Sequence, residues 1–216
     1  MYFHKITTPK TLKITSFGNP EKAKIGIIAL HGYGQLVQFF IRKFYELNPD
    51  EVFVIAPEGM HRFYLKGSSG RVGASWMTKE ERLDDIQDNM IYLDKVYNQF
   101  LEPHNFENLV VLGFSQGAAT AARWIEHSKV NFTSFIQWAG VFPPDLKLDL
   151  SKEKFNKTKH FYVVGNQDPY FKNEEYEKSQ KSWLTQQGLS PYFVEFDGVH
   201  DLNINCLQSL LFDRSS

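Results

Sequence analysis

Leu109-Val110-Val111-Leu112-Gly113-Phe114-Ser115-Gln116-Gly117-Ala118-Ala119 decides how this chain is read. A continuous apolar run passes without a break into Gly-x-Ser-x-Gly, and the small residues that follow open a helical pattern reaching Ile125. A strand that turns straight into a helix has no room for large side chains two positions either side of the turn. Gly113, Gly117, Ala118 and Ala119 leave that space free. The serine at the apex then stands clear of the backbone at a helix N-terminus, where free N–H groups and the helix dipole favour negative charge. Ser115 is therefore a candidate nucleophile rather than a mere helix cap.

Outward from this turn, short runs rich in β-branched and aromatic residues recur at 24–30, 51–56, 108–113, 132–139, 160–164 and 192–196. Most are continuously apolar rather than alternating, the pattern of parallel strands covered on both faces. Residues 2–17 alternate more and predict an antiparallel hairpin at the sheet edge. Leu83, Ile86, Met90, Leu93, Tyr97 and Phe100 form one apolar stripe and predict a helix over 78–101, with Thr78 as N-cap and Glu81 completing a capping box. Further helices are expected after Gln35, from Ser115, and across 173–187 and 202–211. The alternation predicts a single α/β domain over 1–216. Its mostly parallel central sheet should carry helices on both faces and a minimal cap domain or none. Residues 59–76 and 141–159 are too long for simple connections and read as loops lining a site.

Of the 216 residues, 42% are hydrophobic and 23% charged, with a formal net charge of −1. Scattered basic residues give no electrostatic case for nucleic acid or an anionic membrane surface. The first ten residues lack the apolar core of a secretion signal, and the longest purely apolar or glycine runs, such as 25–30, are far too short to span a membrane. A cytoplasmic location is the default expectation. Cys206 is the only cysteine and reads as a small apolar filler on the last helix.

A nucleophilic serine needs a base to take its proton and a carboxylate to orient the base, following it in the order serine, acid, histidine. His127 falls on the helix that the serine opens, and His160 begins a strand at its wrong end. His200, in the turn Asp197-Gly198-Val199-His200, projects from a strand's carboxyl edge and is the candidate base. Asp168, in Gly165-Asn166-Gln167-Asp168-Pro169, ends another strand and is the candidate acid. Asp197 and Asp201 are rivals so close in sequence to His200 that the loop would have to fold back sharply. Oxyanion donors are expected at the backbone N–H of Gln116 and, in the glycine-containing loop His31-Gly32-Tyr33-Gly34, at that of Tyr33. His31 reads as a residue orienting this loop. No third glycine completes a dinucleotide fingerprint after Gly32-x-Gly34. The pattern calls for no cofactor and no metal.

With these motifs, and with Ala74-Ser75-Trp76-Met77 and Trp138-Ala139-Gly140-Val141-Phe142-Pro143, the chain resembles the phospholipase/carboxylesterase family of α/β-hydrolases from about residue 24 onward. Acyl-protein thioesterases are among that family's members. The resemblance implies an α/β-hydrolase fold and hydrolysis of carboxylic esters or thioesters of small to medium acyl groups through an acyl-enzyme, without a cofactor. It places the triad at Ser115, Asp168 and His200 and the oxyanion donors at Tyr33 and Gln116. Two positions depart from the pattern: Ala118 replaces a second glycine, and Gln35 stands where an aspartate is common.

The expected partner is a small-molecule ester or thioester, with the chain a monomer or a homodimer. Its acyl part should be walled by Phe63, Tyr64 and Trp76 from the first long loop and by Phe142, Leu146, Leu148 and Leu150 from the second, with Trp76 and Phe142 as substrate-binding candidates. A serine peptidase for short peptides and a non-catalytic binding protein on the same fold are the alternatives.

Overall fold

The structure, a computed structural model, describes residues 1–146, 148–171 and 174–212. Its strands are β1 (Ile14–Phe17), β2 (Ile25–Leu30), β3 (Val52–Pro57), β4 (His61–Lys66), β5 (Ser69–Ser75), β6 (Asn108–Phe114), β7 (Ser134–Trp138), β8 (Lys159–Gly165) and β9 (Tyr192–Phe196). Seven of them form one sheet in the order β1-β3-β2-β6-β7-β8-β9. β1 runs antiparallel to β3, and every other neighbouring pair is parallel. All residues of β2 and β3 are buried, which is why their sequences are apolar without alternation. Parallel register gathers the carboxyl ends at one edge: Leu30 lies opposite Gly113, Phe114 opposite Trp138, and Gly165 opposite Phe196. The loops leaving that edge hold Ser115, Asp168 and His200.

The helices are α1 (Val37–Phe40), which runs on into the 3₁₀ turn Ile41–Phe44, then α2 (Arg82–Phe100), α3 (Gln116–His127), α4 (Leu148–Lys157), α5 (Glu174–Gln186) and α6 (Ile204–Phe212). Asn173, the expected start of the fifth, lies outside the described residues. Cys206 sits half-buried on α6, where burial pushes its thiol pKa up.

Several local expectations are corrected. Residues 1–13 take no regular structure, so β1 alone lines the sheet edge and the hairpin over 2–17 does not form. Pro9 lacks an N–H for a ladder, and its surroundings lack the Asn-Gly or Asp-Gly of a tight hairpin. Helix α2 starts at Arg82, because Glu81 takes a left-handed conformation (φ 47°) and makes no side-chain cap. Thr78 Oγ1 instead accepts from the Glu80 N–H at 3.2 Å, closing a local turn. Leu83 is exposed, and the face that packs is Asn89, Met90, Leu93 and Val96. Residues 59–76 are not a loop but carry the antiparallel hairpin of β4 and β5, and 141–159 contains α4.

His160 shows what the core demands of a polar group. Its ring stacks on Phe135 at 4.6 Å, and Nε2 donates to Gln137 Oε1 at 2.9 Å. Gln137 Nε2 donates in turn to Gly140 O, which fixes the amide's orientation. Burial lowers the His160 pKa to about 3. An unfolded histidine takes up its proton near 6.5, so between those values the unfolded chain binds more protons than the folded one. The contribution of His160 to stability is thus complete above about 6.5 and falls as pH drops toward 3, by about 1.4 kcal/mol per pH unit at most. Urea midpoints measured from pH 7 to pH 4 should fall less steeply for His160→Phe than for the parent; parallel curves would contradict this account.

Candidate active site

One residue separates β6 from α3. Ser115 bridges them with φ 53° and ψ −117°, a conformation that costs a non-glycine residue about 1–3 kcal/mol. Its N–H donates to Trp138 O at 2.8 Å and its carbonyl accepts from Ala118 N–H at 3.0 Å. The turn is tight enough that a methyl group at Gly117 would sit 2.3 Å from the Leu30 carbonyl oxygen. Ala118, where a second glycine was expected, is accommodated by its neighbour: a Cβ at Gly140 would lie 2.4 Å from the Ala118 methyl, so Gly140 supplies the space that Ala118 fills.

The structure brings Ser115, His200 and Asp168 together. His200 Nδ1 donates to Asp168 Oδ2 at 2.6 Å, which leaves Nε2 as the acceptor 3.0 Å from Ser115 Oγ. The Asp168 side chain is fully buried, and its second oxygen accepts from the Tyr170 N–H at 2.9 Å. The imidazole lies between the rings of Phe114 at 5.0 Å and Tyr170 at 4.6 Å. The acid's loop is stitched to the histidine's: Asn166 N–H donates to Phe196 O, Gln167 N–H to Gly198 O, and Gly198 N–H to Asn166 Oδ1. The rival acids are engaged elsewhere. Asp197 accepts from Gln167 Nε2 at 2.8 Å, and Asp201 pairs with Lys43. His127, at the end of α3, approaches Asp94 at 3.5 Å.

On the other side of Ser115 lies the loop after β2. His31 is buried, donates from Nδ1 to Gly32 O at 2.7 Å and accepts at Nε2 from Gly59 N–H at 2.9 Å. Both ring nitrogens are thereby used in holding backbone, and burial lowers its pKa, keeping it neutral. Gln35 Oε1 accepts from Gly32 N–H at 2.9 Å, so the residue that departs from the family pattern fastens this loop. Gly34 alone of the loop's two glycines has positive φ (75°); Gly32 is required for closeness, since a Cβ there would lie 3.2 Å from Ser115 Cβ. Among the described residues neither the Tyr33 nor the Gln116 N–H donates to a backbone group outside the regular elements.

Trp76 and Phe142 are placed differently from expectation. Both are fully buried. The Trp76 indole donates to His31 O at 2.8 Å, and Phe142 packs on Phe155, His160 and Trp183. Neither walls an open pocket; aromatic bulk in these segments serves the core. Leu148 is likewise buried, and the side chain of Leu150 lies outside the described part of the structure. Of the proposed walls, Tyr64 is exposed and Phe63 packs against the Tyr33 ring at 5.0 Å.

Two contributions escaped the sequence reading. The Gln116 side chain accepts from Trp76 N–H and donates to Met77 O, hooking the end of the β4–β5 hairpin onto the elbow. Buried Glu58 accepts from Val37 N–H and Arg62 Nε, tying α1 to the same hairpin. Single polar residues carry no such signal in sequence. Among the described residues no group of three or more His, Cys, Asp or Glu is arranged to hold a metal ion, and no helix is long and apolar enough to cross a membrane.

The family model for phospholipase/carboxylesterase matches residues 11–210. The chain belongs to the phospholipase/carboxylesterase family. No curated protein matches it in sequence. Among solved structures it is similar to Zea mays acyl-protein thioesterase 2, with 19% identity, a TM-score of 0.69, and coverage of 93% of this chain and 98% of that one. It is also similar to a phospholipase/carboxylesterase of Dyadobacter fermentans (19%, TM-score 0.63, coverage 99% and 98%) and to the Bacillus cereus carboxylesterase (16%, TM-score 0.62, coverage 92% and 91%). At such identities these likenesses establish the α/β-hydrolase fold, and membership of the phospholipase/carboxylesterase family establishes a hydrolase of esterase type.

The packing around the elbow sets a stability test for this family member. Gly117→Ala should lower unfolding stability by about 1–3 kcal/mol in urea titration, because its methyl meets backbone rather than a movable side chain. An unchanged midpoint would mean that the turn is looser than described.

Proposed function

We propose that this protein hydrolyses carboxylic esters or thioesters of small to medium acyl groups, with Ser115 as nucleophile, His200 as general base and Asp168 as the orienting acid. The observation that carries the reading is the unbroken hydrogen-bonded chain from Ser115 Oγ through His200 to Asp168, with the imidazole's accepting nitrogen facing the hydroxyl. Similarity to an acyl-protein thioesterase and to carboxylesterases supports esters and thioesters as the substrate class.

In this mechanism His200 Nε2 takes the hydroxyl proton as Ser115 Oγ attacks the carbonyl carbon. The negative charge that forms on the carbonyl oxygen is received by the backbone N–H groups of Tyr33 and Gln116, the second of which opens α3. Collapse expels the alcohol or thiol, which takes the proton back from His200 and leaves an acyl group on Ser115. Water, deprotonated by the same nitrogen, then releases the acid and restores the hydroxyl. Buried Asp168 keeps the proton on Nδ1 throughout and stabilises the imidazolium formed twice per cycle.

Ser115→Ala should lower kcat on p-nitrophenyl butyrate by about 10⁶, and Asp168→Asn by about 10⁴, because the amide favours the wrong tautomer. Asp197→Asn, already bound to Gln167, should cost far less. Covalent turnover surviving in Ser115→Ala, or a larger loss at Asp197 than at Asp168, would defeat the assignment.

A further inference from the structure

Between the 3₁₀ turn and β5 lies an open cleft of about 500 Å³ whose apolar lining is Leu36, Phe39, Phe40 and Val72. Neither Ser115 nor His200 lines it, but two short links join its wall to the candidate site. Gly34 and Gln35 form part of its wall, two and three residues beyond the Gly32 backbone that abuts Ser115. Lys43, another wall residue, is paired with Asp201, the residue after His200.

The charged side chains of the lining are both cations, Lys43 and Arg71. They come from elements far apart in sequence and face one trough. Arg71 has no hydrogen-bond or ion-pair partner among the described residues, and Arg42 adds a third positive charge beside the cleft, 5.1 Å over the Phe39 ring. Against these three stands the one carboxylate paired to the lining, Asp201, whose side chain is half exposed. An isolated surface arginine would mean little. Three cations around an apolar trough with a single acid concentrate positive potential beside the candidate site. A neutral acyl chain would use the apolar lining and leave Arg71 without a partner.

We infer that this cleft selects substrates bearing a carboxylate remote from the scissile carbonyl, with Arg71 and Lys43 as the specificity-determining residues. The inference rests on the esterase reading of Ser115. With the carbonyl at Ser115, the apolar body of the substrate lies along Leu36, Phe39 and Val72, and its carboxylate meets the guanidinium fork of Arg71. Lys43 has three donor hydrogens and serves the substrate while keeping Asp201.

Two matched pairs of esters test this and locate the carboxylate. p-Nitrophenyl hydrogen adipate against p-nitrophenyl hexanoate places it on the acyl group; 4-(carboxymethyl)phenyl butyrate against phenyl butyrate places it on the leaving group. In one pair the ratio of kcat/KM, anionic over neutral, should exceed one at low salt. It should fall by about fivefold in Arg71→Glu, survive in Arg71→Lys, and decline in the parent protein at about 0.5 M salt. Salt provides a readout that needs no variant. Ratios that ignore both Arg71→Glu and salt in both pairs would overturn the inference while leaving the esterase reading intact. If neither neutral nor anionic esters are turned over, the esterase reading fails and takes this inference with it.

Discussion

The backbone of Ser115 is the constraint on which the rest of the structure depends. A strand and a helix joined through one residue force that residue to φ 53°, and no L side chain rests comfortably there. The conformation persists because its surroundings leave no alternative. Ser115 N–H is held by Trp138 O on the neighbouring strand, and the Gly117 backbone is pressed against the Leu30 carbonyl. Those contacts draw on β2, β6 and β7, so the three central strands of the sheet are in effect the jig that holds one hydroxyl. The cost of about 1–3 kcal/mol is small against the apolar area buried by the same strands.

From that fixed point the other groups follow by register. A parallel sheet delivers every strand end to the same edge, and the loops after β8 and β9 are cross-linked by backbone and Asn166 side-chain hydrogen bonds before either reaches Ser115. Asp168 and His200 therefore arrive as one unit. On the opposite flank, neutral His31 and Gln35 set the loop after β2, and Gln116 ties the hairpin to the elbow. The hairpin supplies Arg71 and Val72 to the adjoining cleft.

The parts of this arrangement legible in the sequence were those with a steric or topological rule behind them. The elbow announced itself through small residues, the buried strands through continuous apolar runs, and the positions of Asp168 and His200 through chain order and strand ends. What was not legible depended on tertiary competition. Trp76 and Phe142 looked like pocket walls because they lie in segments that read as loops, but an indole that bonds His31 O and a ring among Phe155, His160 and Trp183 belong to the core. Thr78 and Glu81 satisfied a capping pattern, yet Thr78 closed its own turn and the helix began later. The hairpin at 59–76 was hidden by its polar, exposed residues; the antiparallel β4–β5 ladder pairs them, and one bridge between Gln35 and Ala74 ties the hairpin to the loop after β2.

Membership of the phospholipase/carboxylesterase family fixes the general chemistry; whether Ser115 is the atom acylated is the central claim. It is tested most directly by rapid mixing with p-nitrophenyl butyrate, acid quenching, and mass analysis of the intact protein and its peptides. The account predicts a burst of p-nitrophenol and one butyryl group located on Ser115. Turnover with the acyl group trapped on another residue would contradict it.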